Sequence, residues 1–195
     1  MKVNIFLFDD FDTTEAFIPA GIFGKSPENF FVEYYSINGE FVTSMQGIKI
    51  WTEPVDSSLS GEILVIPGGK GARRLIRGEK NMCGLLKQLI EHHSFCVMLG
   101  SGTSLAAQTG VLYRRTICDY PLDENWNRMF TAAIYRMPGI KWAADGKFYS
   151  ASTALAGLEM CLDIIADLVD FDEAMRISEK FGYTWDPEEE EGIYR

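Results

Sequence analysis

Three short stretches of this chain carry the residue types that could do chemistry on a small molecule. The sharpest is a strand-to-helix elbow, Phe95-Cys96-Val97-Met98-Leu99-Gly100-Ser101-Gly102-Thr103-Ser104-Leu105-Ala106-Ala107. An apolar strand runs into Gly100-Ser101-Gly102 and opens directly onto a helix, so main-chain N–H groups converge where an anion or a developing oxyanion could sit. The second is Pro67-Gly68-Gly69-Lys70-Gly71, which follows the apolar run Ile63-Leu64-Val65-Ile66. Its glycines let the backbone approach a ligand closely. A single glycine loop serves any tight turn; two of them after neighbouring central strands point to a pocket lined by the amides of Gly68, Gly69, Gly100 and Gly102. The third stretch is Asp9-Asp10-Phe11-Asp12-Thr13-Thr14-Glu15. Asp12 or Thr13 can cap a helix, with Asp12 and Glu15 as a capping-box-like pair. Equally, Glu15 can reach the pocket as an acid–base or hydrogen-bonding carboxylate, and Asp9, Asp10 and Asp12 can be read as a metal cluster.

The elements that must position these stretches follow from hydrophobic period. Strands are expected near 2–8, 31–37, 47–52, 62–66, 95–99, 131–135 and 147–151, and helices near 13–24, 71–77, 79–93, 102–109, 153–168 and 172–182. This alternation predicts an α/β fold, a doubly wound, mostly parallel central sheet flanked by helices. The runs Ile63–Ile66 and Phe95–Leu99 are apolar on both faces and belong at its centre. In such a sheet the ligand crevice lies beyond the carboxyl ends of the central strands, where all three stretches begin. Asn38-Gly39 and Ala144-Asp145-Gly146-Lys147 read as hairpins decorating an edge. The segment Asp186-Pro187-Glu188-Glu189-Glu190-Glu191-Gly192 reads as a solvated acidic extension over 186–195, and residues 1–195 form a single domain.

Composition narrows the partners. The 28 acidic against 18 basic residues, a formal charge of -10, disfavour nucleic acid and anionic membranes, which require positive patches. No segment approaches the roughly 18 apolar residues of a membrane span, and the N-terminus lacks a signal-peptide run, so the chain reads as cytoplasmic. Cys83, Cys96, Cys118 and Cys161 lie far apart without C-x-x-C spacing, which predicts buried thiols and neither a zinc site nor a disulfide framework. No cofactor or metal is expected, and a small molecule is the expected ligand.

The opening Phe8–Glu15 continued by Pro19 and Phe23, the Ile66-Pro67-Gly68-Gly69 loop, the elbow running to Gly110-Val111-Leu112 and the close Tyr183-Thr184-Trp185-Asp186-Pro187 together resemble the ThiJ/PfpI family. The resemblance implies the class I glutamine amidotransferase-like, flavodoxin-like three-layer sandwich, and within it the branch of isonitrile hydratases and amidotransferase-like domains of transcription regulators. It extends to proteins described as intracellular proteases or amidases. The family's elbow carries a cysteine nucleophile; here that position is Gly100. The family's histidine after the next short strand corresponds to Asp119 in Thr116-Ile117-Cys118-Asp119-Tyr120, and its acidic partner of the cysteine corresponds to Glu15. Ser150–Gly157 resembles the loop that borders the family's pocket, with Ser152 where a glycine is usual. Cys118, Tyr120 and Ser152 are thereby expected to border the pocket. The family's habit of dimerising implies a homodimer.

Other nucleophiles do not readily replace the missing thiol. A Ser-His or Cys-His mechanism needs an imidazole within hydrogen-bond reach, and His92 and His93 precede the strand that ends at Leu99, roughly 17 Å from Gly100. Ser101 would depend on Glu15 or Asp119 alone for activation, although an amidase or hydrolase using Ser101 remains an alternative. Cys118 points away if Asp119 faces the crevice. Glu15 and Asp119 sharing a partly dry pocket would push one pKa upward and provide an acid and a base. The expectation is therefore binding of a small polar metabolite, or a non-thiol lyase or hydrolase activity, at the elbow. A catalytically inactive, dimeric regulatory protein is the alternative, in keeping with Tyr113, Tyr120, Trp126 and Trp142 as an aromatic surface. The chain ends soon after Tyr183, which argues against an attached helix-turn-helix domain.

Overall fold

The computed structural model describes residues 1–78, 81–118, 120, 133–187 and 192–194. Its centre is a nine-stranded sheet built from β1 (Lys2–Phe6), β2 (Phe31–Ser36), β3 (Glu40–Thr43), β4 (Lys49–Pro54), β5 (Gly61–Ile66), β6 (His93–Leu99), β9 (Trp142–Asp145), β10 (Phe148–Ala151) and β11 (Gly192–Tyr194). Their order is β11-β9-β10-β6-β5-β1-β2-β4-β3. The pairs β1/β2, β1/β5, β5/β6, β6/β10, β2/β4 and β9/β11 are parallel, while β9/β10 and β3/β4 are antiparallel. A separate two-stranded sheet joins β7 (Thr116–Cys118) and β8 (Tyr135–Met137). The expected mostly parallel, doubly wound sheet is what the chain builds.

The helices are α1 (Thr13–Gly24), α2 (Gly71–Gly78), α3 (Met82–Glu91), α4 (Gly102–Gln108), α5 (Ala154–Leu168) and α6 (Phe171–Lys180). They form two groups: α1 packs on α5 and α5 on α6, while α2, α3 and α4 pack on one another. With a helix layer on each face, the central strands bury both sides: Ile63–Ile66 and Cys96–Leu99 are all buried. Burying such a side chain stabilises by about 1.5–3 kcal/mol relative to exposure, so this pair of strands anchors everything at its carboxyl end.

Several expectations shift. Asn38-Gly39 is a turn, with Gly39 at φ +73, but it does not close a hairpin: β2 pairs with β4, and the hairpin is β3/β4 one turn later. Asp145-Gly146-Lys147 does turn a hairpin at the edge, between β9 and β10. The expected helix over 79–93 is shorter, because Asn81 at φ +69 precedes its start and His93 already belongs to β6. The expected strand 131–135 falls largely outside the described residues and meets β8 only at Tyr135. Residues 192–194 are not a solvated tail; they add β11 beside β9, with Tyr194 edge-on to the buried Trp142 at 5.3 Å. Among the described residues no helix is long and apolar enough to cross a membrane.

Candidate functional site

The carboxyl ends of β1, β5 and β6 bring the three stretches together. Asp12 caps α1, its carboxylate accepting from the N–H groups of Thr14 (2.9 Å) and Glu15 (3.2 Å). Such a cap stabilises a helix by about 1 kcal/mol. It also places Glu15 in the first turn of α1, aimed at the sheet. The reciprocal half of a capping box does not form: the N–H of Asp12 donates to the carbonyl of Gly68 at 2.8 Å, and Glu15 turns away from the cap. Its Oε2 instead accepts from the N–H of Gly68 at 2.7 Å, across 53 positions of sequence.

Gly68 and Gly69 keep their glycines for space. A Cβ on Gly68 would sit 2.6 Å from Glu15 Oε2 and 2.6 Å from Ser101 Oγ, so both oxygens lie beside the same point. Gly69, at φ +141, pairs with Phe11 and would drive a Cβ into the backbone of residues 10–12. Its N–H donates to Ser101 Oγ at 2.9 Å, and the Ser101 hydroxyl donates back to the Gly69 carbonyl at 3.3 Å. Both loop amides expected to receive a ligand are thus already held by the protein's own oxygens, Gly68 by Glu15 and Gly69 by Ser101.

At the elbow, Gly100 adopts φ +47 and donates its N–H to the carbonyl of Ala151 at 3.1 Å. A Cβ there would overlap Glu15 Oε1 and lie 2.9 Å from Oε2. Gly102 opens α4 against the carbonyl of Ile66, where any side chain would collide with backbone. The elbow is therefore filled by a carboxylate that reaches it from α1.

Burial decides the charge of that carboxylate. Glu15 is only 8% exposed. Loss of solvation pushes its pKa up to about 7; the Gly68 hydrogen bond opposes the shift and the neighbouring Asp12 carboxylate adds to it. Burial also works to raise Asp12, but hydrogen bonds from the Thr14 hydroxyl, the Glu15 amide and Gln46 outweigh it and hold Asp12 below the usual carboxylate range. The half-buried Tyr120 has its phenol pKa raised, first by burial and then by the charges of Glu15 and Asp12. The Tyr120 phenol therefore lies within the field of both carboxylates.

The remaining candidates fall as follows. Asp119 lies outside the described residues. Cys118 is buried with its thiol donating to the carbonyls of Ile140 (3.1 Å) and Lys141 (3.2 Å), and its N–H donates to Ser150 Oγ. Ser152 follows β10, its hydroxyl donating to the carbonyl of Lys141 at 3.0 Å. His93 begins β6 and Leu99 ends it, so the imidazole is at the opposite end of the strand from the elbow. There its Nδ1–H donates to the Leu89 carbonyl at 2.6 Å, as expected of an imidazole at a helix end, which leaves Nε2 to accept from the amide of Asn4 at 2.9 Å. The three aspartates read as a metal cluster diverge: Asp9 accepts from the Thr43 N–H, Asp10 pairs with Arg74 at 2.6 Å, and Asp12 caps α1. Among the described residues no group of three or more His, Cys, Asp or Glu side chains is arranged to hold a metal ion. Nor is there a disulfide: Cys96, Cys118 and Cys161 are buried and Cys83 is half-buried. Tyr120, expected from the resemblance to border the pocket, feels the charge of Glu15.

No curated protein sequence matches the chain significantly. Among solved structures, it is similar to a ThiJ/PfpI family protein from Pseudomonas syringae, with 16% identity, a TM-score of 0.81, and 95% of this chain and 76% of that one covered. It is similar to DJ-1beta of Drosophila melanogaster at 15% identity and a TM-score of 0.80, covering 94% and 98% of the two chains. It is also similar to an AraC family transcriptional regulator from Pseudomonas putida at 18% identity and a TM-score of 0.76, covering 92% and 98%. At these identities the likeness shows a shared fold. A sequence profile of the DJ-1/PfpI family matches residues 1–167, and the chain belongs to that family.

Proposed function

We propose that the elbow binds a small polar metabolite and exchanges a proton with it through Glu15, without a covalent enzyme intermediate. The reading rests on one observation: a buried carboxyl with a pKa near 7 occupies the space over Gly100 where a nucleophilic side chain would begin. A group that titrates at neutral pH can both take and return a proton, which is what a lyase or hydration reaction asks of a general base. Glu15 would remove a proton from a carbon acid or an attacking water and deliver it to the product. A ligand oxygen displacing the Ser101 hydroxyl would take the Gly69 N–H and so meet a donor suited to developing negative charge. Tyr120, whose phenol feels the charge of Glu15, would supply a second hydroxyl.

Hydrolysis through Ser101 is less well supported, because its hydroxyl is engaged with Gly69 at both ends and no imidazole reaches it. The regulatory alternative has one observation in its favour: Phe41 and Trp51 are 64% and 55% exposed and stack edge to face at 5.2 Å on β3 and β4. Such an aromatic pair suits a partner, and a homodimer is the assembly we propose for it. Proton transfer is tested by incubating the protein in D2O with a panel of small aldehydes, ketones and 2-oxo acids and following loss of the α-proton signal. Catalysed exchange of one panel member, reduced at least about 100-fold in Glu15→Gln, supports the reading. No catalysed exchange, or exchange equal in the two proteins, opposes it.

A further inference from the structure

Apart from the elbow, the carboxyl edge of the sheet holds a second concavity. A cavity of about 410 Å³ lies over the ends of β1 and β2, closed on one side by the β3 strand and on the other by α2. That volume falls within the range of about 300–1,000 Å³ typical of small-molecule sites. Leu7, Phe8 and Val42 are buried beneath it, and the half-buried Ile37 and Leu75 form its apolar walls. Open parallel sheets bind ligands at this carboxyl edge. The strand order reverses between β1 and β5, on the elbow side, and this cavity lies on the other side of β1.

The charges around the mouth select the occupant. Arg74 is the basic residue of the lining, and it is already neutralised by Asp10 at 2.6 Å. Asp9 and Glu40 also line the cavity, and neither has a cationic partner among the described residues. Asp9 uses one oxygen to accept from the Thr43 N–H, which fixes the carboxylate at the rim. A cleft with two apolar walls beneath two carboxylates that lack a cationic partner is complementary to an ammonium group carried on a hydrophobic body. An anionic ligand would meet repulsion there, and a neutral one would leave the rim uncompensated.

We propose that this cleft is a binding site for a small organic cation, a primary amine with an aromatic or branched aliphatic body. The apolar part packs on Ile37 and Leu75, and the ammonium faces Asp9 and Glu40. The site is separate from the elbow, although the loop from Leu7 to Asp12 borders both, and it does not depend on Glu15 acting as a base.

The test titrates the intact protein with three probes of matched shape: 2-phenylethylammonium, 2-phenylethanol and phenylacetate. Binding is followed by methyl and amide chemical shifts. The expected result is saturable binding of the cation in the millimolar range or tighter, with shift changes centred on Ile37 and Leu75. The alcohol should bind at least about three-fold more weakly and the acid not at all. Added salt should weaken the cation, because the rim is exposed. In a double variant, Asp9→Asn with Glu40→Gln, the hydrogen bond from Thr43 can persist while affinity for the cation falls at least about five-fold. Shift mapping on the unaltered protein locates the probe even if the double variant folds poorly. Non-saturable binding, equal binding of cation and acid, shifts centred away from the cleft, or a folded double variant that binds the cation unchanged would each overturn the proposal. The readout is occupancy of the cleft, so it succeeds or fails independently of turnover at the elbow.

Discussion

Glu15 and Gly100 compete for one volume: a β-carbon on residue 100 would overlap Oε1 of the glutamate and lie 2.9 Å from Oε2. Gly100 also holds φ +47, where a side chain adds about 1–2 kcal/mol of strain. Installing Cys or Ala at position 100 therefore requires Glu15 to leave its hydrogen bond to Gly68. Gly100→Ala is expected to lower unfolding free energy by about 2–4 kcal/mol, and adding Glu15→Ala should return part of that loss. Urea denaturation of the two variants measures it. A Gly100→Ala protein as stable as the parent would mean that the carboxylate is not lodged over the elbow.

Ionising Glu15 should be unfavourable to folding. Its pKa is raised from 4.5 to about 7, so between those values the folded state binds a proton that the unfolded chain has lost. Stability must then fall as pH rises through that window, by about 3 kcal/mol in all. Glu15→Gln keeps an acceptor for the Gly68 N–H and removes the charge. The variant should be more stable than the parent at pH 8, with the gap closing as pH approaches 4.5. Thermal or urea unfolding across pH detects it, and a gap that widens on acidification would carry the wrong sign.

His93 imposes the opposite slope. Burial lowers its pKa from 6.5, aided by the charges of Lys147 and His92 and opposed by its hydrogen bond to Leu89. A buried neutral imidazole contributes stability that is fully present above the unfolded value and is lost as pH falls toward the depressed folded value. Protonation would also end the acceptance of the Asn4 amide by Nε2. Replacing His93 by Gln should cost stability at pH 8, by about 1–3 kcal/mol, and should flatten the decline below pH 6.5. An unchanged slope in that region would remove His93 from the account.

Ser101 separates a structural hydroxyl from a nucleophile. Its Oγ is the acceptor for Gly69 N–H, so Ser101→Ala should destabilise the loop by about 1–3 kcal/mol. Any activity found at the elbow should survive that substitution within about ten-fold, whereas loss of a serine nucleophile lowers kcat by about 10⁴-fold or more. Steady-state kinetics on the same substrate as the D2O exchange assay distinguishes the two.

Much of the frame can be read from residue order. Ile63–Ile66 and Phe95–Leu99 announce central strands because both of their faces are apolar, and the glycines behind them mark where the chain must turn closely. The short strands β3, β7, β9 and β11 are not legible in the same way. Each spans three or four residues and exists because a neighbour offers hydrogen-bond partners, as β9 does for Gly192–Tyr194. The site divides along the same line. The cap at Asp12 is local and visible in sequence, which places Glu15 at the crevice. That Glu15 takes the Gly68 amide and the space over Gly100, leaving Ser101 to take Gly69, depends on three strands meeting and cannot be seen from spacing. The groups that approach Gly68 and Gly69 are the chain's own side chains, Glu15 and Ser101.

The central claim is that Glu15 is a buried carboxyl poised at neutral pH, and the side-chain carboxyl carbon of Glu15 reports it directly. With selective ¹³C labelling and Glu15→Gln to assign the resonance, an NMR titration should show this carboxyl ionising with a midpoint near 7. A midpoint at or below 4.5, the ordinary value for a glutamate, would contradict the account.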